Sequence, residues 1–334
     1  MNERALAVRG AGVLLVVGVA TVLLGTTAGS QGWQAWWWVM ADDVSRQIVL
    51  DIRLPRSLGA WLGGGLLGLA GAVAQGLFRN PLADPYLLGS ASGASLGVGV
   101  YWSLFGGSAW AMTWWMGLGL TGAAFVGAVL AVLLTLLLAR GVQQTLRLLL
   151  AGVVVGVVLG AVTSMLSLLQ PQVLQAMQGF MLGSTAFVSW SACATMAAVL
   201  AVCLLLAWAF ARVLDALTLG ESTAQSLGMP LREARLVLVG VVSLATGAAV
   251  AHIGLVAFVG LAAPHLVRSL VRTTHAWRLL LAALMGGALL GLADVMARVL
   301  FAPQELPVGV LTAVLGGGYL LWRVYRDPSV GGVR

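Results

Sequence analysis

The sequence predicts an all-α polytopic membrane protein, and three observations support this prediction. The 334 residues are 60% hydrophobic and only 9% charged, whereas a soluble domain carries roughly 25% charged residues. Several apolar stretches approach the length that a helix needs to cross a bilayer. The strands of a membrane barrel would instead show short segments of alternating hydrophobicity. We therefore expect lipid to be the main solvent of this chain and helices to be its spans.

About ten transmembrane helices follow from the apolar stretches in chain order. They cover about residues 8–28, 56–78, 86–105, 116–139, 147–169, 189–213, 236–252, 256–267, 279–301 and 307–326. Residues 170–188 are less apolar and are interrupted by Pro171, which favours an interfacial helix. We expect a single transmembrane domain over residues 1–334, with a polar cytoplasmic segment at 214–235.

The distribution of arginine predicts the orientation. The sequence contains no lysine, so all 18 basic residues are arginine. If the N-terminus is cytoplasmic, ten crossings return the C-terminus to the cytoplasm, and only four arginines lie outside: Arg46, Arg53, Arg56 and Arg298. This excess of inner arginines satisfies the positive-inside rule and explains the net charge of +7 without nucleic acid as a partner.

The missing lysine also limits the chemistry. The phosphate-binding loop of P-loop ATPases requires a lysine after its glycines. Because this chain has none, any ATP hydrolysis must take place on a separate polypeptide. We therefore expect no enzymatic activity and no cofactor in this chain.

The most specific motif lies between Arg53 and Gly97. An Arg-Leu-Pro-Arg start precedes an uncharged run from Ser57 to Phe78, which ends at a polar turn with two prolines. The block that follows reads RNPLADPYLLGSASGASLG. It strongly resembles the permease family of ABC importers that take up ferric siderophores, haem and vitamin B12. The resemblance extends from about Arg53 to Trp322.

The resemblance implies both the fold and the assembly. The fold would be that of type II ABC importer permeases in the inner membrane. Two copies of the chain would form a homodimer around a central pathway, with two ATP-binding cassette subunits on the cytoplasmic side and a periplasmic substrate-binding protein on the other side. ATP would act on the partner ATPase. The cargo would be a metal chelate, namely an iron-siderophore, haem or cobalamin.

Three of the outer arginines are candidates for docking the binding protein. Arg53 and Arg56 flank Pro55 at the start of the second predicted helix, and Arg298 follows Asp294 by one helical turn. Snorkelling and an i, i+4 ion pair would explain them without any partner. Arginines also bind carboxylates of an acidic partner. The resemblance favours docking, because arginines at the matching RLPR and ADxxAR positions receive glutamates of a binding protein.

The segment Ala216–Arg235 is the candidate for coupling to the ATPase. Thr218 or Ser222 is expected to cap a short helix, Gly228 to end it and Pro230 to start the next helix. An ordinary surface loop is the alternative. The resemblance implies coupling helices that fit a cleft of the ATPase, with these residues at the contact: Glu221, Ala224, Gln225, Leu227 and Gly228.

Two cytoplasmic turns are candidates for an inner gate. The resemblance implies that Asn80 and Leu82, in the turn Arg79–Pro85, line this gate together with Gln144 and Thr145. The last two match the family by place rather than by identity. Asn80-Pro81 is explained equally well as a turn that breaks a helix.

Two other classes of function require features that the sequence lacks. A transporter driven by an ion gradient needs intramembrane carboxylates or broken helices, and Asp294 is the only candidate, with Arg298 beside it. An intramembrane enzyme needs a catalytic constellation, which we do not find. We also expect no metal site, because His252 and His265 have no Cys, Asp or Glu partner at the spacing of metal ligands.

Overall fold

The computed structural model describes residues 3–29, 32–34, 42–106, 115–139 and 145–326. A two-residue hairpin, Ala28–Gly29 with Gly32–Trp33, follows the first helix. The helices in chain order are α1 Glu3–Thr27, α2 Asp43–Ile48, α3 Leu54–Phe78, α4 Ser90–Phe105, α5 Trp115–Leu138, α6 Thr145–Leu169, α7 Pro171–Leu182, α8 Trp190–Ala209, α9 Ala211–Leu217, α10 Glu221–Ser226, α11 Leu231–Ile253, α12 Val259–Leu270, α13 His275–Val299 and α14 Val308–Arg326. A π-helical turn, Val49–Arg53, joins α2 to α3, and a 3-10 turn, Pro85–Leu88, precedes α4.

Each of the ten predicted spans contains a helix, but the helices differ in length. In the described part of the chain, seven are long and apolar enough to cross a membrane: Glu3–Thr27, Asp43–Phe78, Gly119–Leu138, Leu146–Leu169, Trp190–Ala209, Leu231–Ile253 and His275–Val299. Helices α4, α12 and α14 occupy the other predicted spans and are shorter. A 16-residue helix such as α4 is about 24 Å long, less than the roughly 30 Å of a hydrocarbon core.

Two predicted spans are divided in the structure. The span predicted at 86–105 begins with the 3-10 turn, and Gly89 with φ 82° then allows a new helix to start at Ser90. Only a residue that tolerates the left-handed region fits this position without strain. The span predicted at 189–213 is broken at Phe210, where α8 ends and α9 begins.

Helix α3 forms the centre of the bundle. Every residue from Leu62 to Phe78 is buried, and the helix packs against α11, α12 and α13. Its glycines permit this packing, since a Cβ at Gly64 would overlap the carbonyl oxygen of Gly286 and one at Gly71 would overlap that of Gly260. Small residues allow helices in lipid to approach each other closely. The two ends of α3 are thus held rigidly relative to each other.

The outer helices present apolar side chains at the surface. Val157 and Leu168 of α6 and Leu205 of α8 are exposed examples. Faces of this kind are stable only against lipid or another protein chain.

Helix α7 corresponds to the expected short helix in 170–188. It begins at Pro171, and its buried Val173 and Met177 pack beside Ala94 and Val98 of α4.

Candidate functional site

The end of the bundle at the start of α3 contains a buried carboxylate. Asp294 of α13 accepts hydrogen bonds from Thr185 and Arg298, and the Arg56 Nε lies 3.4 Å from its Oδ1. A buried charge is tolerated only when it is paired and hydrogen-bonded. Both oxygens of Asp294 are engaged in this way, so the residue holds α13, α3 and the segment before α8 together.

Arg298 lies inside the bundle. Its side chain is 1% exposed. Nη1 donates to the carbonyl oxygen of Gly25 at 2.9 Å, and Nη2 donates to the Ser57 Oγ at 3.0 Å and to Asp294. The guanidinium that the resemblance assigned to docking is therefore committed to internal partners in this conformation.

Arg53 and Arg56 lie closer to the surface. Arg56 is 12% exposed and its Nη1 lies 2.8 Å from the Glu305 Oε2. Arg53 is partly buried; it donates to the carbonyl oxygen of Thr26 at 3.2 Å and to the Gln34 Oε1 at 2.8 Å. We call Arg56, Arg298 and Asp294 the outer network. Arg53 and Arg56 lie at its rim.

The coupling segment folds as two short helices, with caps that differ from the prediction. The prediction of a Thr218 or Ser222 cap is wrong: Gly220, at φ 109°, precedes α10, and Ser222 lies within the helix. The Thr218 hydroxyl instead donates to the carbonyl oxygen of Asp215 at 2.6 Å. A glycine replaces a side-chain cap here because the chain enters α10 through a positive φ that other residues avoid.

The end of α10 agrees with the prediction. Gly228, at φ 71°, follows the helix, and its amide donates to the carbonyl oxygen of Gln225 at 2.9 Å. Pro230 immediately precedes α11. Left-handed glycine and the following proline are the usual stop and start signals.

Four of the five predicted contact residues of this segment divide into an exposed group and a buried residue. Gln225, Leu227 and Gly228 are exposed, with Leu227 at 57%. Ala224 is 0% exposed and packs in a cluster with Leu217 and Ala234. The exposed group forms a surface, and Ala224 anchors that surface to α9 and α11.

Glu221 joins the coupling segment to the turn after α3. Its carboxylate pairs with Arg235 of α11, and its Oε1 lies 3.8 Å from the Arg79 Nη2. Arg79 terminates α3 in the left-handed conformation, at φ 51°. We call Glu221, Arg79 and Arg235 the inner network. Three elements of the chain meet at this one carboxylate.

The turn that follows Arg79 is shaped by two side-chain caps. The Asn80 Oδ1 accepts from the Leu82 amide at 2.9 Å, and the Asp84 Oδ1 accepts from the Tyr86 amide at 2.8 Å. Burial raises the pKa of the Asp84 carboxyl, and the hydrogen bond from Tyr86 opposes this shift. Asn80 and Leu82 are exposed. These bonds fix the turn, since Asx turns replace backbone pairing.

The other two predicted gate residues do not lie in this turn. Gln144 lies outside the described residues, and Thr145 is the first residue of α6.

Sequence reasoning missed a second connection at the inner end. Asp215 of α9 accepts from the His275 amide at 3.0 Å, and its Oδ1 lies 2.6 Å from the His275 Nδ1. This pair ties the start of α13 to α9, the first short helix of the coupling segment. The two residues are 60 positions apart, and no local pattern connects them. Thr185 and Glu305 of the outer end were missed for the same reason.

One network lies at each end of α3, and each joins helices through a carboxylate shared by two arginines. Among the residues that the structure describes, no three His, Cys, Asp or Glu side chains are grouped to hold a metal ion. A bundle of apolar helices of this length places the chain in the class of multi-pass membrane proteins.

Comparison with known proteins agrees with this class. A profile of the FecCD transport family matches residues 13–326, and the chain belongs to that family. It is 37% identical to the hemin transport system permease protein HmuU of Yersinia pestis, with 95% of each chain covered. It is 38% identical to the vitamin B12 import system permease protein BtuC of Escherichia coli O17:K52:H18, with 94% of each covered. The iron(3+)-hydroxamate import system permease protein FhuB of Bacillus subtilis is 34% identical, over 95% of this chain and 80% of that protein.

A solved structure confirms the predicted fold class. The chain superposes on an inward-facing metal-chelate type ABC transporter with a TM-score of 0.84 and 27% identity, over 95% of this chain and 99% of the other. The predicted resemblance to ABC importer permeases is therefore confirmed. The chain is a multi-pass permease subunit of an ABC transporter, and permeases of this family are not catalytic and carry no cofactor.

Proposed function

We propose that this chain forms the membrane pathway of an importer that moves a metal chelate from the periplasm to the cytoplasm. Haem, a ferric siderophore and cobalamin are the three cargo classes, because the relatives are named for hemin, iron(3+)-hydroxamate and vitamin B12. The chain works as a homodimer with two ATPase subunits and a periplasmic binding protein. It lies in the inner membrane with both termini in the cytoplasm, as the fourteen inner arginines favour.

One observation carries this proposal. Helix α3 has Arg56 of the outer network in its first turn and Arg79 of the inner network at its end. Its buried length packs tightly against three other helices. A displacement of one end of α3 therefore moves the other end, because packed helices move as rigid bodies rather than deform continuously.

The outer rim receives the binding protein. Arg53 and Arg56 are partly exposed and carry fork-shaped donors that match carboxylates of an acidic partner. Arg298 acts indirectly: it fixes Asp294, which in turn orients Arg56. Surface charges of this kind raise the rate of encounter more than the final affinity.

The segment 214–235 receives the ATPase as the cytoplasmic part of a single transmembrane domain. Gln225, Leu227 and Gly228 make the contact, Ala224 supports it, and Glu221 passes the displacement to Arg79. When ATP closes the ATPase subunits, the segment moves and pulls on the turn after α3. Asn80 and Leu82 then change position with this turn, and together with Gln144 and Thr145 they open or close the inner gate.

Transport driven by an ion gradient is the alternative class. It requires an intramembrane carboxylate that is free to bind a cation or a proton. Asp294 is buried within the helices, but its oxygens already accept from Thr185, Arg298 and Arg56. This pairing favours an ATP-driven mechanism.

Reconstitution tests the proposed function. We expect proteoliposomes that hold the permease, the ATPase and the binding protein to accumulate one of the three chelates when ATP is supplied. Vesicles with the permease alone should accumulate none of them under the same conditions. Uptake by the permease alone, or uptake that follows an ion gradient without ATP, would reject the proposal.

Co-purification tests the coupling surface separately. A Leu227→Asp change places a charge on the proposed contact, so the ATPase should no longer purify with the permease. Phe301→Ser removes an exposed apolar side chain at the opposite end and should leave the complex intact. Full recovery of the ATPase with Leu227→Asp would show that the contact lies elsewhere.

A further inference from the structure

A basic cavity of about 210 Å³ lies beside the inner network. Its walls come from α3, α12, α13 and the turn after α3. Three arginines line it, namely Arg79, Arg268 and Arg278, together with His275 and Gln75. Among the described residues that line the cavity there is no carboxylate. The cavity therefore concentrates positive charge from three separate elements.

The nearest acidic groups do not balance this charge. Glu221 is 3.8 Å from Arg79 and is shared with Arg235. Asp215 is bonded to His275. Among the described residues, Arg268 donates to the carbonyl oxygen of Pro81, at 3.4 Å, and Arg268 and Arg278 repel each other.

Polar atoms of the cavity also lack partners. The Nε of Arg278 is buried and makes no hydrogen bond in the described part of the chain. Gln75 is 6% exposed; its Nε2 donates to the carbonyl oxygen of Leu261, and its Oε1 is left without a partner. A buried donor without an acceptor is costly, and a positively charged one more so. An acceptor that carries negative charge would remove this cost at the Arg278 Nε; the Gln75 Oε1 is itself an acceptor and gains nothing from it.

We propose that this cavity binds a phosphate group. Tetrahedral phosphate offers several acceptor oxygens, and guanidinium groups bind such oxygens in pairs. A phosphate here would connect Arg79, at the turn after α3, with Arg268 of α12 and Arg278 of α13. The bound anion would hold that turn in the position seen in the structure. The phosphate comes from a free anion or from the headgroup of a phospholipid.

Direct binding of inorganic phosphate tests the site. We use the full-length permease, purified without the ATPase so that the phosphate-binding loops of the ATPase do not contribute. We expect saturable binding of labelled phosphate at constant ionic strength. Arg278→Gln should raise the dissociation constant for phosphate by about tenfold or more, because a charge-assisted hydrogen bond is lost. Arg272→Gln, an exposed arginine between α12 and α13, is the matched control and should bind like the wild type.

A second arm identifies the source of the phosphate. The same proteins are placed in nanodiscs of phosphatidylglycerol and phosphatidylcholine, and the lipids that remain bound after extraction are measured. Selective retention of lipid by the wild type, lost in Arg278→Gln, assigns the site to a headgroup. Phosphate binding without such retention assigns it to the free anion.

The proposal is rejected if the wild type and Arg278→Gln differ neither in phosphate binding nor in lipid retention. If Arg278→Gln does not fold, Arg268→Gln takes its place, because it removes a second cation from the same cavity. The two variants lie on different helices, so a general packing defect would not affect phosphate binding in both in the same way.

Discussion

The outer and inner networks have the same arrangement of charges, but their carboxylates differ in exposure. Each has one carboxylate between two arginines: Asp294 with Arg56 and Arg298, and Glu221 with Arg79 and Arg235. The side chain of Asp294 is 1% exposed, whereas that of Glu221 is 32% exposed. Removing one partner of a buried ion pair is strongly destabilising, because the other charge is left buried and unpaired. An exposed ion pair contributes little to stability. We therefore expect the outer network to stay fixed and the Arg79–Glu221 contact of the inner network to break and re-form during transport.

The largest expected effect comes from breaking the outer network. Asp294→Asn leaves Arg298 buried without its carboxylate and should lower the free energy of unfolding by about 3–5 kcal/mol. The measurement is unfolding of the purified permease by a denaturing detergent. Glu233→Gln, which removes an exposed carboxylate, is the control and should change little. Equal stability of the two variants would contradict the role given to burial.

The helix that joins the two networks should show the next largest effect. Gly71→Val places side-chain atoms against the carbonyl oxygen of Gly260, and overpacking of this kind costs about 1–3 kcal/mol. The same unfolding measurement applies. Gly240→Val is the matched change at a helix position that has open space around it, so a similar loss there would show that the effect is one of helix propensity alone.

Changing the inner network should separate stability from transport. Glu221→Gln removes a carboxylate that is 32% exposed from Arg235, which is 7% exposed, and is expected to lower the free energy of unfolding by about 1–2 kcal/mol, less than Asp294→Asn. Uptake driven by ATP should nevertheless fall by about fivefold or more, as for a loss of coupling between two sites. Unfolding and uptake are measured on the same preparation, with Glu233→Gln again as the control. A loss of uptake that merely follows a loss of folded protein would argue against a coupling role.

Salt should produce the smallest effect and sharpen the contrast. The Arg79–Glu221 distance is 3.8 Å and both side chains are partly exposed, so 1 M salt should screen this interaction. Double-mutant cycles at low and high salt measure the interaction energy of each pair. We expect the Arg79–Glu221 energy to decrease towards zero and the Asp294–Arg298 energy to remain. A parallel decrease in both would mean that the outer network is accessible to solvent.

The helices could be predicted because their signal is local. Length and apolar composition define each span, and Gly228 with Pro230 marks the end of α10 and the start of α11. The divisions at Gly89 and Phe210 were missed, because neither position interrupts the apolar pattern. Helix α4, with 16 residues, is shorter than the span predicted at 86–105, because the apolar pattern does not show where a helix begins.

The networks could not be predicted because their partners are distant in sequence. Arg298 donates to Ser57, 241 positions away, and to Gly25, 273 positions away. The ADxxAR motif therefore identified Arg298 as a candidate residue but did not indicate that its side chain is buried. Ala224 was likewise placed at a contact, although it packs inward. The sequence singles out candidate residues at each end, and only the packing determines which of them reach the surface.

A double-mutant cycle on Glu221 and Arg79 tests the transmission between the coupling segment and α3 most directly. ATP-driven uptake is measured for Glu221→Gln, for Arg79→Gln and for the double variant, with each preparation matched for bound ATPase. If one contact transmits the motion, the double variant transports no worse than the poorer single variant. Losses that multiply in the double variant would show that the two residues act independently and would contradict this account.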